Sequence, residues 1–393
     1  MIKKYVLPLI FLCFFNFTKS QVQLSVYSEV SIITAGSGSN LYEAFGHSAI
    51  RIKDPVLQLD VIYNYGIFDF NSPNFYINFI KGDLLYSLGK QNFNNFVEKY
   101  NYQKRWVKQQ VLNLNQQEKQ AFFLYLENNA QLENRNYSYD PYFNNCATKL
   151  RDITSIILKD KLIFNDINDS NGKTSLRSLM EKEIPWNTWG SFGINLALGA
   201  KLDKEITENQ YMYLPKYVYQ KFKAATIEKN IEIENLIKKE VIIVDHKELK
   251  YKSNLLSPFL IFSIISLIGI FITYRDYKLN KRTKWLDFTI LFTTGFIGLI
   301  ILFLWLFTNH STAPNNFNFL WAFAPNLFIA FVLLRKKSSK FISLYFKIKI
   351  FLLIIMMIIW VLGIQFFPLA ILPFTIFLFL RYLYIHKQLK SIH

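Results

Sequence analysis

After Tyr251 the chain carries five apolar segments, approximately Leu255–Tyr274, Leu286–Phe307, Phe317–Leu334, Leu344–Gly363 and Phe366–Leu383. A bilayer core needs about 20 apolar residues of helix to cross it. Inside lipid the backbone must satisfy its own hydrogen bonds, so such segments have little choice but helix. The chain is therefore constrained first by a transmembrane bundle of about five helices. The connections alternate in charge. RDYKLNKRTK (275–284) and RKKSSKFISLYFKIK (335–349) are rich in Lys and Arg, TNHSTAPNN (308–316) has neither, and the fourth connection is too short to carry any. By the positive-inside rule the basic loops and the tail face the cytoplasm, while loop 308–316 and everything before the first segment lie outside.

The net charge of +17 then concerns topology, and nucleic acid is excluded as a partner. Between Gln21 and Lys250 there are 27 Lys or Arg against 26 Asp or Glu, so the excess sits in the loops. Met1 to Ser20 opens with Lys3 and Lys4, continues with an apolar run too short to span, and ends on the small residues Thr18 and Ser20. This reads as a signal peptide. Cys13 lies within it, behind bulky Leu12, and is expected to leave with it.

The part between signal and membrane divides in two. Residues 21–100 look β-rich: LSVYSEVSIIT, SAIRI and LDVIYNYG alternate like strands, the last two separated by a turn containing Asp54-Pro55. Residues 116–135 and 146–160 read as amphipathic helices, 165–200 as mixed structure with Trp186 and Trp189, and 224–240 as a charged helix leading to the membrane. The expected domains are a signal peptide (1–20), an exported Cys–His catalytic domain (21–223), a juxtamembrane linker helix (224–254), a five-helix transmembrane domain (255–385) and a cytoplasmic tail (386–393).

Without Cys13 the exported part keeps one cysteine, Cys146, which has no intramolecular disulfide partner. A small buried residue is one explanation and a nucleophile is the other. Cys146 follows Asn144-Asn145, good capping residues, and precedes ATKLRDITSIIL, a convincing helix. That places the sulfur at a helix N-terminus, where free amides and the dipole favour thiolate and can also bind an oxyanion. A base is needed. His246 lies in a charged segment (VDHKELK) and reads as solvated. His47 heads a predicted strand directly after Gly46, which lets another backbone or a substrate come close. If 47–52 and 59–66 form a hairpin, pairing His47 with Asn64 also pairs Arg51 with Asp60. Asn64 would then orient the imidazole, with Asp60 still open for that role and Arg51–Asp60 read as structural. One Cys and one His leave too few ligands for zinc, so no metal and no cofactor are expected. No phosphate-binding glycine loop and no lipase-type serine elbow is present.

A strand-borne His, a second strand with a polar residue, and Asn-Cys at a helix start resemble the circularly permuted NlpC/P60 papain-like enzymes. More specifically, T-A-G (34–36), Y-E-A-F-G-H-S-A-I-R (42–51), Y-N-Y-G-I-F-D-F (63–70), F-I-K-G-D (79–83) and N-N-C-A-T-K-L-R-D (144–152) resemble the DUF4105 family, the Lnb-type lipoprotein N-acyltransferases. GINLALGAKLDKEIT (193–207), YLP (213–215) and HSTAPNNFNFLW (310–321) extend the likeness over nearly the whole mature chain. The resemblance implies an α+β papain-like exported domain followed by an all-α transmembrane bundle. It further implies a bacterial inner-membrane location, with a periplasmic N-terminal domain and a cytoplasmic C-terminus.

By the same resemblance Cys146 is the nucleophile and His47 the base of an acyltransferase. A phospholipid is the acyl donor, and the α-amine of a diacylglyceryl-cysteine lipoprotein is the acceptor. Asn64 enters as third catalytic residue from the hairpin argument, with Asn145, Tyr65, Gly46, Asp60, Arg51 and His310 in support. His310 would act at the membrane surface with Asn316, Asn318 and Trp321 as companions; the bland alternative is a solvated His and an interfacial Trp. The aromatic residues of 63–86 are either an acyl groove or core strands. Two rival functions use the same sequence: a membrane-tethered cysteine peptidase or peptidoglycan amidase, and a non-enzymatic envelope binding module.

Overall fold

The computed structural model describes residues 22–69, 71–83, 85–167, 174–229, 232–249, 251, 255–334 and 340–390. The signal-peptide segment, with Cys13, lies outside the described residues.

The N-terminal part is an α/β domain around a seven-stranded sheet. Its strands are β1 (Glu29–Ala35), β2 (His47–Asp54), β3 (Leu59–Ile67), β4 (Leu85–Asn92), β5 (Val107–Leu112), β6 (Asn136–Ser138) and β10 (Ile237–Val244), in the order β10-β5-β1-β2-β3-β4-β6. Every neighbouring pair is antiparallel. Three short strands, β7 (Leu162–Ile163), β8 (Thr226–Lys229) and β9 (Glu232–Asn235), form a second sheet. The helices of this part are α1 (Phe75–Lys81), α2 (Phe93–Tyr102), α3 (Gln116–Asn129), α4 (Cys146–Leu158), α5 (Leu176–Glu183), α6 (Trp189–Ala197) and α7 (Pro215–Ala224).

Both faces of the central strands are covered, which is why β2 reads as a near-continuous buried run. Ile50, Ile52, Tyr63 and Tyr65 pack under α3 and α4 through Phe122, Leu126, Ala147 and Leu150. On the opposite face Ile33, Ala49 and Ile62 meet Phe93, Phe96 and Tyr100 of α2.

The linker helix expected over 224–254 is replaced by β8, β9 and β10, with β10 paired to β5 at the sheet edge. Ile227, Ile233 and the run VIIV at 241–244 stand there among Lys and Glu, and β-branched residues favour strand.

The C-terminal part is helical. Among the described residues four helices are long and apolar enough to cross a membrane: Pro258–Lys278 (α8), Lys284–Leu306 (α9), Lys340–Val361 (α11) and Leu369–Lys390, which includes α12 (Leu372–Lys390). The expected third span differs. It is a 3-10 turn at Phe317–Leu320 followed by a nine-residue helix, α10 (Asn326–Leu334). Pro325 cannot continue a helix begun upstream. Irregular backbone survives at such depth only when buried in protein. Here Trp321 and Ala322 are buried, and Gly298 of α9 admits the Ala322 carbonyl so closely that a Cβ would stand 1.8 Å from it.

The expected loop 335–349 is also shorter, since α11 begins at Lys340. Lys349 is thus buried in the bundle, where its Nζ donates to the Leu320 carbonyl at 3.0 Å, at the break. The expected tail from 386 remains helical through Lys390.

A buried charge cluster ties three spans together. Arg381 of α12 donates to Asp287 of α9 at 2.7 Å and to Asp276 of α8 at 2.8 Å, and Arg282 stands 3.1 Å from Asp287.

The two parts are joined by residues 176–203, which explains the Trp and Gly content of that stretch. Arg177 is buried and bonds Asp203, Asn195 and the Gly199 carbonyl at 2.7–2.9 Å, holding the segment in shape. The loop leaving α9 then docks on it. Gly199 N–H donates to Thr312 O (2.8 Å), Ala200 N–H to Asn315 O (3.0 Å), and Asn316 Nδ2 to Leu196 O (2.8 Å). Trp189 Nε1 donates to Leu256 O at 2.9 Å, and Asn187 Nδ2 to Ser257 Oγ at 3.0 Å, at the start of α8.

Candidate active site

His47 is the first residue of β2, and Gly66 lies at the matching end of β3. The site forms where the sheet ends, so an imidazole from one face and a helix N-terminus from the other reach each other. Asn145 is the N-cap of α4: its Oδ1 accepts from the Ala147 and Thr148 amides at 2.9 Å, and its Nδ2 donates to Pro141 O (2.6 Å) and Tyr213 O (2.9 Å). Every polar atom of this side chain fixes the helix start, so Asn145 positions Cys146 and has nothing left for a ligand.

Cys146 is a free, half-buried thiol. Its sulfur is hydrogen-bonded to the His47 ring and to the backbone amides of Ser48 and Ala147. Burial pushes the thiol up, but the His47 charge and these three hydrogen bonds outweigh it and hold the thiol below its ordinary value. Burial likewise pulls His47 down, yet the Cys146 charge, its hydrogen bond and that of Asn64 carry the imidazole above its ordinary value, against the opposing charge of Arg105. The two shifts favour one state, a thiolate beside an imidazolium.

The hairpin register differs from the expected one by two residues. Ile50 faces Tyr63, Arg51 faces Ile62, and Lys53 faces Asp60. A shift of two preserves which face each side chain occupies, whereas a shift of one would reverse it. The expected partners therefore still meet, along diagonals. His47 Nε2 and Asn64 Oδ1 are 2.5 Å apart. Arg51 grips Asp60 with two bonds of 2.7 and 2.6 Å, bonds Gln109 at 2.8 Å, and lies over the Phe93 ring at 3.6 Å. Asp60 is thus engaged with Arg51, and the amide of Asn64 stands against the imidazole.

The supporting residues fare unevenly. Tyr65 points into the opposite core face, where Asn129 Nδ2 donates to its Oη at 2.9 Å. Gly46 has φ +75°, and a Cβ there would stand 2.8 Å from the Ala35 carbonyl, so it serves the β1 backbone. His310 bonds Ile80 O at 3.2 Å and packs on Gly82. Trp321 is buried and donates to Asn318 at 3.0 Å, so it is a core residue of the bundle and not an interfacial anchor. His246 is bonded to Asn101 at 2.8 Å.

Several neighbours escaped the sequence reading. Tyr100 stacks on His47 with centroids 6.4 Å apart, and Arg105 lies over Tyr100 at 4.7 Å. Tyr137 and Tyr139 flank the space in front of the thiol. A Cβ on Gly66 would touch Cys146 Cβ, Tyr137 Oη and Tyr139 Cε2, all at 3.9–4.0 Å, and Gly66 has φ +95°. The Tyr137 hydroxyl is buried and has no hydrogen-bond partner among the described residues. The Tyr-Ser-Tyr run at 137–139 carried a signal, since alternate residues of a strand share a face. Among the described residues no three His, Cys, Asp or Glu side chains gather as a metal site requires.

Such an arrangement can support nucleophilic attack by sulfur, with an imidazole in contact and a hydroxyl nearby. Two family descriptions match the chain in order: the Lnb N-terminal periplasmic domain over residues 14–189 and the Lnb transmembrane domain over residues 250–391. No curated protein and no solved structure matches it. With both parts of one architecture matched in sequence order over most of its length, the chain belongs to the Lnb family, membrane proteins with a periplasmic N-terminal domain.

Proposed function

We propose that the protein is a lipoprotein N-acyltransferase of the bacterial inner membrane, with its C-terminus in the cytoplasm and Cys146, His47 and Asn64 as its catalytic residues. The observation that carries this reading is the thiol–imidazole contact at a helix N-terminus, in a domain fastened to a membrane bundle.

The Cys146 thiolate attacks an ester carbonyl of a phospholipid. The C–S bond forms, the ester C–O bond breaks, and the His47 imidazolium gives its proton to the departing lysophospholipid oxygen. The free α-amine of a diacylglyceryl-cysteine lipoprotein then attacks the thioester. The C–N bond forms, the C–S bond breaks, and His47 takes the proton lost by nitrogen. Thiolate and imidazolium are restored. Asn64 keeps the ring directed at sulfur, acting on Nε2. The negative oxygen of each tetrahedral intermediate needs donors, and we assign one to the unpartnered Tyr137 hydroxyl beside the Gly66 space.

The test is mass spectrometry of the protein after incubation with phospholipid vesicles, and of lipoprotein N-termini with and without it. The expected result is a hydroxylamine-sensitive acyl group on Cys146, absent from Cys146→Ser, and N-acylation that depends on the protein. Cleavage of muropeptides with no acyl adduct would overturn it in favour of hydrolysis. Thiol alkylation indifferent to His47→Ala would overturn it in favour of a binding module.

A further inference from the structure

Helix α1 is an unusual object for a water-exposed surface. Of its seven residues only Phe75 is buried, while Tyr76, Ile77, Phe79 and Ile80 are 49–69% exposed. Contiguous exposed apolar side chains on this scale mark a surface that meets something apolar.

What it meets follows from where it is held. The Lys81 carbonyl accepts from Asn309 N–H at 2.7 Å, and Asn309 Nδ2 donates to Asp83 at 2.6 Å. Gly82 lies so close to His310 that a Cβ would stand 2.8 Å from its amide. Asn309 is three residues beyond the end of α9 at Leu306, and Leu306 and Phe307 are themselves 62% and 71% exposed. The apolar surface of α1 therefore continues the lipid-facing surface of a spanning helix at the level where that helix leaves the bilayer. Behind α1 the rings run inward. Phe75 stacks on Phe68 (6.2 Å), Phe68 meets Tyr86 (5.2 Å), and Tyr86 stacks on Tyr139 (4.0 Å), which borders the Gly66 space beside Cys146.

We propose that α1 is a foot that inserts Tyr76, Ile77, Phe79 and Ile80 into the leaflet on the periplasmic side, and that a membrane lipid's acyl ester enters along the aromatic file behind it. The second half rests on the acyltransferase reading; the first does not. Aromatic and aliphatic side chains on a short helix at a bilayer surface bury their apolar bodies among the acyl chains while the backbone stays at the headgroups.

The experiment uses the full chain in phosphatidylethanolamine–phosphatidylglycerol nanodiscs, with Cys13→Ser and Cys146→Ser removing the native thiols. An environment-sensitive fluorophore is attached to Ile77→Cys or, as control, to Tyr102→Cys, a residue 90% exposed. Doxyl-labelled lipid should quench the probe at 77 at least twofold more than the probe at 102. Equal quenching overturns the foot. With Cys146 restored, Ile77→Lys combined with Phe79→Lys should lower acylation of Cys146 from vesicle lipid at least tenfold, while iodoacetamide still alkylates Cys146 at the original rate. Undiminished acylation overturns the route and leaves the foot to the quenching result. Quenching at 77 in a wild-type protein that never acylates supports the foot and overturns the acyltransferase reading, and the route with it.

Discussion

Arg381 in the membrane bundle and Cys146 in the periplasmic domain each sit among buried polar groups, but their surroundings are completed to different degrees. Around Arg381 the charges are permanent and engaged. Its guanidinium reaches Asp287, Asp276, Thr273 and the Thr283 carbonyl, and Asp276 also accepts from Thr283 N–H at 2.7 Å. Around Cys146 the thiol is shifted down and the His47 imidazole up, Gly66 leaves room for a methyl group beside Cys146 Cβ, and the Tyr137 hydroxyl has no partner among the described residues. The Arg381 cluster fastens helices together because parting a buried ion pair is costly. A site with an unpartnered donor holds it ready for an atom that arrives later.

Five measurements test this contrast. The largest effect is expected from Cys146→Ser, which should lower acyl transfer by roughly 10³-fold or more, since a removed nucleophile has no substitute. Thermal unfolding should not move. A large loss of stability would mean that Cys146 is a packing residue.

Next comes Arg381→Met, where the pattern inverts. Asp276 and Asp287 lose the cation that joins them, with only Arg282 left beside Asp287, and breaking such a buried pair costs about 3–5 kcal/mol. Unfolding in nanodiscs should shift strongly downward, while folded molecules keep the alkylation rate of Cys146. A stability equal to wild type would show that the cluster fastens nothing.

Tyr137→Phe should follow, with acyl transfer down about 10²-fold, the typical effect of losing one oxyanion donor. Alkylation of Cys146 should be unchanged, because iodoacetamide builds no oxyanion. A parallel drop in both would point to disturbed packing.

The smallest loss is expected from Asn64→Ala, roughly 10- to 100-fold in transfer, a part of what general acid–base catalysis contributes. The pH dependence of alkylation has a definite sign. The thiol is shifted down and the imidazole up, so alkylation should persist below the pH at which ordinary thiols fall silent. In His47→Ala burial remains without the compensating charge, and the alkylation midpoint should move up from its wild-type position. A midpoint unmoved by His47→Ala would dissolve the pair.

The sequence reading and the structure part company at identifiable places. Arg51 and Asp60 do pair, and so do His47 and Asn64, but in a register two residues away, because long side chains span a diagonal as readily as a direct pair. The charged stretch after Ala224 looked helical by composition, yet it ends in the β-branched run 241–244, and β10 pairs with β5 at the edge of the sheet. The third apolar segment has the hydropathy of a span; Pro325 signals a break within it, and packing against Gly295 and Gly298 holds the irregular backbone there. The alternation of Tyr-Ser-Tyr at 137–139 puts Tyr137 and Tyr139 on one face, but that Tyr137 lies without a partner among the described residues is a matter of packing.

By itself the sequence determined what depends on local order: which segments enter lipid, that Asn145 caps a helix beginning at Cys146, and that a strand begins at His47. These are consequences of hydropathy, capping and alternation, and neighbours along the chain suffice for them. Only the tertiary structure decided which side chains share a few ångströms: Tyr137 at the thiol, Arg381 between two aspartates, and α1 beside the end of α9. Those meetings join residues up to hundreds of positions apart. Strand register and helix packing set them, and neither is written in any one stretch of the chain.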